Sequence, residues 1–307
     1  MLDLRRLRLL REFAHRGTIA ATAAALGYTP SAVSQQLASL EREAGTPLLD
    51  RTARSAALTD SGRRLAEHAE RILAMVEAAE ADLLAQNTMP LGRVEVTAFP
   101  TAAVAFAPAL AHSLRDHPGL QLLLRQTGQD SGARQVRSGE VDIALVDDWT
   151  GTLAGRRANG LQFVHLCRDP LVLVVPLGHR MADPDVPVDL RELRDEPWMA
   201  APEGEPSRQA VDRLLADVGG ARPVPWEFEG LGTILSLVAR GIGIAAVPAL
   251  ALSAGDAGVA VRELPDALAR DVWAVVRTSS VRRPSVAVTL RALRSVAAGH
   301  SGPDSQP

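Results

Sequence analysis

Thr29-Pro30-Ser31-Ala32-Val33-Ser34-Gln35-Gln36-Leu37 reads as the opening of a helix. Thr29 is a good N-cap, Pro30 takes the first helical position, where a missing N–H costs nothing, and Val33, Leu37 and Leu40 form one apolar stripe. The opposite face, Thr29, Pro30, Ser31, Ala32, Ser34, Gln35 and Gln36, is made of short or amide-bearing side chains. Side chains of this kind at a helix N-terminus suit contact with phosphates and with base edges in a DNA major groove. Taken alone that face is equally a solvated surface, so its neighbours decide.

Upstream, Asp3 caps a helix striped by Leu4, Leu7, Leu10, Phe13 and Ala14 and ended by Gly17. Thr18 caps a short second helix over 19–26 whose alanines let another helix approach closely, and Gly27 closes it. Two helices joined by a tight glycine turn read as helix-turn-helix. Downstream, 48–59 reads as a hairpin that sets Arg51 and Arg54 beside the polar helix face, where arginines neutralise phosphates. That hairpin tips the reading towards a winged DNA-binding unit.

These blocks, in register, resemble the LysR-type transcriptional regulator family: Thr18 with the alanine pairs, 29–37, Leu40-Glu41-Arg42-Glu43-Ala44-Gly45, 48–51, and Leu58-Thr59-Asp60-Ser61-Gly62. Two residues depart from the pattern. Pro30 stands where many members carry Gln, so readout there is apolar, such as packing on a thymine methyl, and Leu49 replaces a frequent Phe. From Thr59 a long helix carries Leu65, Ala69, Ile72, Val76, Ala79 and Leu83 alternately four and three apart. The resemblance implies a homodimer through this linker, and hence an inverted-repeat operator in double-stranded DNA; the alternative is an amphipathic helix packed on its own domain. The family also implies dimers of dimers, which leaves homodimer and homotetramer open, and RNA polymerase as a candidate partner.

Beyond the break at Pro90-Leu91-Gly92, strand-like runs at 93–97, 120–125, 141–146, 171–175, 242–247 and 272–276 alternate with helical patterns, which argues for α/β organisation with largely parallel strands. The segment resembles the family's effector-binding domain, itself similar to periplasmic solute-binding proteins with two α/β lobes. The expected fold is thus α/β, with an all-α-rich winged helix-turn-helix N-terminal domain and a two-lobed periplasmic-binding-protein-like effector domain. The expected division is 1–60 for DNA binding, 61–90 for the linker helix, 91–298 for effector binding and 299–307 for a disordered tail. Lobe I takes 92–166 and 269–298, and lobe II takes 167–268.

A small-molecule effector is expected between the lobes, at strand ends and helix N-termini. Pro100 and Thr101 follow a strand and open a helix, so the Thr101 hydroxyl and nearby N–H groups are placed to hold a carboxylate. Thr127 follows the next strand, and Pro202, Glu203 and Thr233 occupy comparable places in the second lobe; a cap or turn role is the alternative at each. Asp147, Asp148, Glu203 and Glu205 give the expected rim an acidic character, from which an amine on the effector, alongside a carboxylate, is inferred. Solvated surface acids are the alternative.

Bulk composition narrows the rest. A chain of 307 residues accommodates two domains at roughly 150 residues each. Up to Gly62, eight arginines face six acids, while the whole chain carries −3. Cys167 is the single cysteine, so no intramolecular disulfide forms, and its spacing from His165 puts both on one face of a strand in a core setting, without further ligands. No signal-peptide pattern or apolar run of about 20 residues occurs, and a cytoplasmic protein without a membrane partner is expected. Gly241-Ile242-Gly243-Ile244-Ala245-Ala246 fits a dinucleotide fingerprint as a string, but a helix precedes it and a strand follows, the reverse of what the fingerprint needs. With no nucleophile elbow, phosphate-binding loop or zinc cluster, neither an enzyme nor a cofactor is expected, and a transport receptor would lack use for the wing.

Overall fold

The computed structural model describes the chain except residues 52–55, 86–89, 129–130, 157–159, 217–225, 253–257, 265–267 and 300–307, and gives the backbone alone for 51, 81, 82, 84 and 85. Arg54 and nearly all of the expected tail therefore lie outside the described residues.

Three short helices open the fold: α1 (Leu4–Arg16), α2 (Ile19–Leu26) and α3 (Pro30–Ala44). Asp3, Thr18 and Thr29 each accept a hydrogen bond from a first-turn N–H, and each helix stops at a glycine in the left-handed region, Gly17, Gly27 and Gly45. Leu7, Leu10 and Phe13 of α1, Val33, Leu37 and Leu40 of α3 and Leu48 close one core. A two-stranded hairpin, β1 (Leu49–Arg51) and β2 (Ala56–Leu58), follows with Leu49 opposite Leu58.

The long helix α4 (Asp60–Ala85) has 26 residues and so a length of about 39 Å. Its first turns belong to the N-terminal core. Ala69 is 0% exposed and packs with Ala66, while Leu65 and Ile72 lie against the same cluster. This corrects the expected seam: Ala69 is covered by its own chain, and Leu65 and Ile72 are half covered, because α1 packs along this side of α4. Met75 (73% exposed), Ala79 and Leu83 (67% exposed) form the open apolar stripe further along.

The remainder is a nine-stranded sheet in the order β4-β3-β5-β11-β6-β9-β7-β8, with β10 paired to β6. One half holds β3 (Gly92–Ala98), α5 (Pro100–Ser113), β4 (Leu120–Gln126), α6 (Gly132–Ser138) and β5 (Ile143–Asp148). The other holds β7 (Trp198–Ala200), α7 (Pro206–Ala216), β8 (Trp226–Glu227), α8 (Leu231–Val238), β9 (Ile244–Pro248) and β10 (Val259–Glu263). β6 (Leu161–Pro176) runs through both halves, β11 (Ala269–Arg277) returns, and α9 (Pro284–Ala298) covers the first half.

Pairing is parallel within each half, for β3 with β4 and β5 and for β7 with β8 and β9, but antiparallel wherever β6, β10 or β11 takes part. The expectation of a largely parallel sheet is corrected at these strands for a simple reason: a strand that leaves a lobe and one that comes back must run in opposite directions. Pro170, which cannot donate to a ladder, sits where β6 passes from its β11 partner to β9 and β10.

The N-terminal unit rests on the first half-sheet. An Arg11 guanidinium N–H donates to the Ser138 carbonyl, Arg16 pairs with Glu140 at 2.9 Å, and Glu77 of α4 accepts from Arg277 Nε at 2.8 Å and from the Ser279 hydroxyl at 2.7 Å. Among the described residues no helix is long and apolar enough to cross a membrane.

Gly62 of α4 has no room for a side chain: a Cβ there would lie 2.1 Å from the Leu48 carbonyl oxygen. Alanine ordinarily stabilises a helix relative to glycine by about 1 kcal/mol. Here Gly62→Ala is expected to destabilise by about 1–3 kcal/mol through overpacking against backbone, read as a lowered urea midpoint. An unchanged or raised midpoint would show that the α4–hairpin packing is looser than described.

Candidate DNA interface and interlobe cleft

The polar start of α3 faces outward. Thr29, Pro30, Ser31 and Gln35 are exposed, Ala32 and Ser34 half-buried, and Val33, Leu37 and Leu40 buried beneath them. The Thr29 hydroxyl accepts from the Ala32 N–H at 3.3 Å and lies 3.1 Å from the Ser31 hydroxyl. Gln36 is engaged by Arg6 Nε at 2.9 Å, whereas Gln35 projects from the exposed face one residue earlier. Arg51 closes β1 opposite Ala56 at the far end of the hairpin from Leu49.

One residue that the sequence reading passed over positions this interface. Glu41 of α3 accepts hydrogen bonds from the Leu48 and Leu49 N–H groups at 2.9 and 3.0 Å, tying the start of the wing to the polar helix. The carboxylate is local enough to have been noticed, since it lies seven and eight residues before its partners.

Between the lobes lies a cleft of about 610 Å³. Pro100, Thr101 and Thr127 line it from one lobe and Pro202 from the other. Glu203 and Thr233 do not. Gly204, at φ +91°, turns the chain so that Glu205 rather than Glu203 lines the cavity. Gly230, the N-cap, and Leu231, the first residue of α8, reach the cleft, and Thr233, two residues past Leu231, is rotated about 200° away around the helix.

The residue that organises the floor was not foreseen. Arg270 is 3% exposed, and its guanidinium donates to the Thr101 hydroxyl at 2.6 Å, to Asp169 at 2.8 Å and to Asp147 at 3.1 Å. It stacks 4.7 Å from the centre of the Phe99 ring and 5.5 Å from that of Trp149. A charged pair at the head of an apolar run, Arg270-Asp271 before Val272, was the available signal, but nothing local says which way it points.

These bonds settle the acidic rim. Asp147 is held by Arg270 and by the Trp149 indole N–H at 3.0 Å. Asp148 is buried and accepts from the Leu153 and Thr150 N–H groups at 2.6 and 3.0 Å. Burial pushes the Asp148 carboxyl up, but the hydrogen bonds from Leu153, Thr150 and Thr152 outweigh it and hold the group below its ordinary value. Burial raises Asp169 above the usual carboxylate range against the pull of Arg270. Of the four expected acids Glu205 lines this cleft, joined there by Glu229, while Asp147 and Asp148 line a neighbouring cavity of about 560 Å³ whose other wall is Pro206, Gln209 and Asp212 of α7.

His165 and Cys167 do not share a strand face. Trp273 pairs with His165 and Val272 with Cys167, so Leu166 is an inserted bulge residue that breaks the alternation. His165 therefore points out, 2.9 Å from Asp271, while Cys167 is 2% exposed in the core. The Gly241 string is a helix-to-strand turn between α8 and β9, and Gly243 is required because a Cβ would lie 2.1 Å from the Pro197 carbonyl oxygen. Among the described residues no cluster of potential metal ligands occurs.

Comparison with known proteins adds sequence-level kinship. The family described as "LysR substrate binding domain" matches residues 87–298, and "Bacterial regulatory helix-turn-helix protein, lysR family" matches residues 4–63. The uncharacterized HTH-type transcriptional regulator YfeR of Shigella flexneri is 30% identical over 251 residues, covering 81% of this chain and 79% of that protein. A full-length OxyR variant from Pseudomonas aeruginosa has a similar fold at TM-score 0.69 and 20% identity, covering 96% of this chain and 98% of that one. Full-length CbnR, solved with its target DNA, aligns at TM-score 0.55 and 21% identity over 96% of this chain and 100% of its own.

Burial, with Asp169 adding to it, pushes the Cys167 thiol up to about 12. At pH 8 it then holds about a thousandfold less thiolate than an ordinary cysteine. Iodoacetamide is expected to leave Cys167 of the folded protein unmodified at pH 8 and to label it fully in urea, as read by intact mass. Rapid labelling without denaturant would show that the crossing strands open.

Proposed function

We propose, from the premise that this chain belongs to the LysR family of bacterial regulatory helix-turn-helix proteins, that α3 reads an inverted-repeat operator and that an effector bearing a carboxylate and an amine controls it. The protein is a DNA-binding transcriptional regulator with an effector-binding domain, and not an enzyme. What supports the finer reading is the exposed polar N-terminus of α3 beside a hairpin, on the same chain as an interlobe cleft of about 610 Å³.

In this reading α3 enters the major groove, with Gln35 and Ser31 at base edges, Pro30 and Ala32 on apolar edges, and Thr29 and Ser34 near the phosphates. Arg51 and Arg54 of the hairpin neutralise phosphates. Residues 1–60 form the DNA-binding unit, 61–90 the linker and 91–298 the effector domain. Two copies associate through the later turns of α4, with half-buried Val76 beside the open Ala79 and Leu83, which sets two recognition helices on one symmetric operator. The protein acts in the cytoplasm, where bound dimers meet RNA polymerase.

The effector carboxylate lies at Thr101 and the start of α5, and its amine lies towards Glu205 and Glu229 across the cleft. Thr127 and Pro202 shape the cavity between these ends. Closure of the lobes around the effector favours one arrangement of subunits and so one spacing of the recognition helices.

Genomic footprinting of the purified protein locates the operator and tests the assignment of roles. Gln35→Ala is expected to reduce discrimination at one base pair by about 1–3 kcal/mol while leaving affinity for unrelated DNA unchanged. Arg51→Ala should weaken binding to all sequences alike and lower the slope of log affinity against log salt by about 1. Equal losses on operator and random DNA for Gln35→Ala would remove α3 from base readout.

A further inference from the structure

We propose that Arg270 is a positioning residue that sets the chemical preference of the cleft, by fixing the Thr101 hydroxyl as a hydrogen-bond donor for a carboxylate rather than an ammonium group. The inference rests on reading the interlobe cleft as the effector site.

A guanidinium has only donors, so at 2.6 Å from Arg270 Nη2 the Thr101 oxygen must accept. No described residue takes the hydroxyl proton in return, and it is left for an acceptor in the cavity that Thr101 lines. Accepting from a cation polarises the O–H bond and strengthens it as a donor. An ammonium placed on the remaining lone pair would sit beside the guanidinium, where like charge disfavours it. Backbone geometry agrees, because the N-cap residue Phe99 gives α5 no side-chain cap and so leaves first-turn N–H groups directed at the same end of the cleft.

This polarity cannot reverse by rotation of Arg270. Asp169 holds Nε and Asp147 holds Nη1, while Phe99 and Trp149 pack against the guanidinium plane. Both carboxylates are in turn hydrogen-bonded, Asp169 to the Leu250 N–H at 2.9 Å and Asp147 to the Trp149 indole, which lowers the negative field they present to a bound anion. Asp169 lies on β6 and Arg270 on β11, so the hydroxyl is referenced to both strands that join the lobes.

The test uses the full chain labelled at threonine methyls and titrated, at matched ionic strength, with sodium formate and separately with methylammonium chloride. In the wild type, formate should shift the Thr101 methyl resonance saturably and methylammonium should not. Arg270→Gln should weaken formate binding about tenfold or more and narrow the formate-over-methylammonium preference, with Arg270→Lys falling between. Because Arg270→Gln leaves two buried carboxylates without their cation, the uncharged triple variant D147N/D169N/R270Q carries the same measurement if the single variant does not fold. An unchanged formate response at Thr101 in a folded variant lacking Arg270 overturns the role of Arg270 and leaves the cleft reading intact. Formate shifts confined to methyls outside the cleft, or no response at all in the wild type, overturn the proposal together with the cleft reading.

Discussion

A guanidinium keeps its charge at any pH a cell reaches, so a fold that buries one must surround it with acceptors or lose stability. Arg270 imposes that demand on the strands that join the two lobes. It draws Asp147 from the end of β5, Asp169 from β6 and Thr101 from the start of α5 to a single point. Through the Leu250 N–H, Asp169 extends the network to the second residue beyond β9. The two lobes are thus hinged on hydrogen-bonded charges as well as on continuous strands. Removing Arg270 would leave two buried carboxylates without their cation, which is costlier than the bonds themselves are stabilising.

A second arginine on the same strand does comparable work at the opposite end. Arg277 donates to the Val136 and Val141 carbonyls beside the end of α6 and to Glu77 of the linker helix. β11 therefore carries one guanidinium at the cleft and another at the junction with α4. α6 spans a similar path: Ser131 just before it bonds the Thr127 hydroxyl of the cleft at 2.5 Å, and its last residue, Ser138, gives the carbonyl that receives Arg11. Packed elements of this kind move as units, which makes them suitable carriers of a change in lobe angle.

What was legible in the sequence was local chemistry. Asp3, Thr18 and Thr29 announce helix starts, and Gly17, Gly27 and Gly45 announce their ends, because a cap bonds within a few residues and a left-handed φ suits glycine. The stripe on α3 separated its buried from its exposed face for the same reason. Long-range pairing was not legible: Arg270 meets Thr101 across 169 positions and Arg277 meets Glu77 across 200. Small backbone events also misled. One bulge residue, Leu166, separates His165 from Cys167, one positive-φ glycine exchanges Glu203 for Glu205, and the cover given by α1 takes Ala69 out of the α4 stripe.

The packing of α1 against α3 and the effector domain alters how the basic character of the N-terminal unit should be counted. Arg6 faces Glu43, Arg11 caps a carbonyl of α6, and Arg16 lies between Glu12 and Glu140. Of the arginines up to Gly62 whose side chains are described, these three are turned towards the protein itself. Fewer condensed ions are displaced when such a surface meets a duplex, so its hold on arbitrary sequence is correspondingly loose. Under the proposed function, a regulator built this way would leave the wrong stretches of a chromosome readily and depend on base-edge fit to stay at the right one.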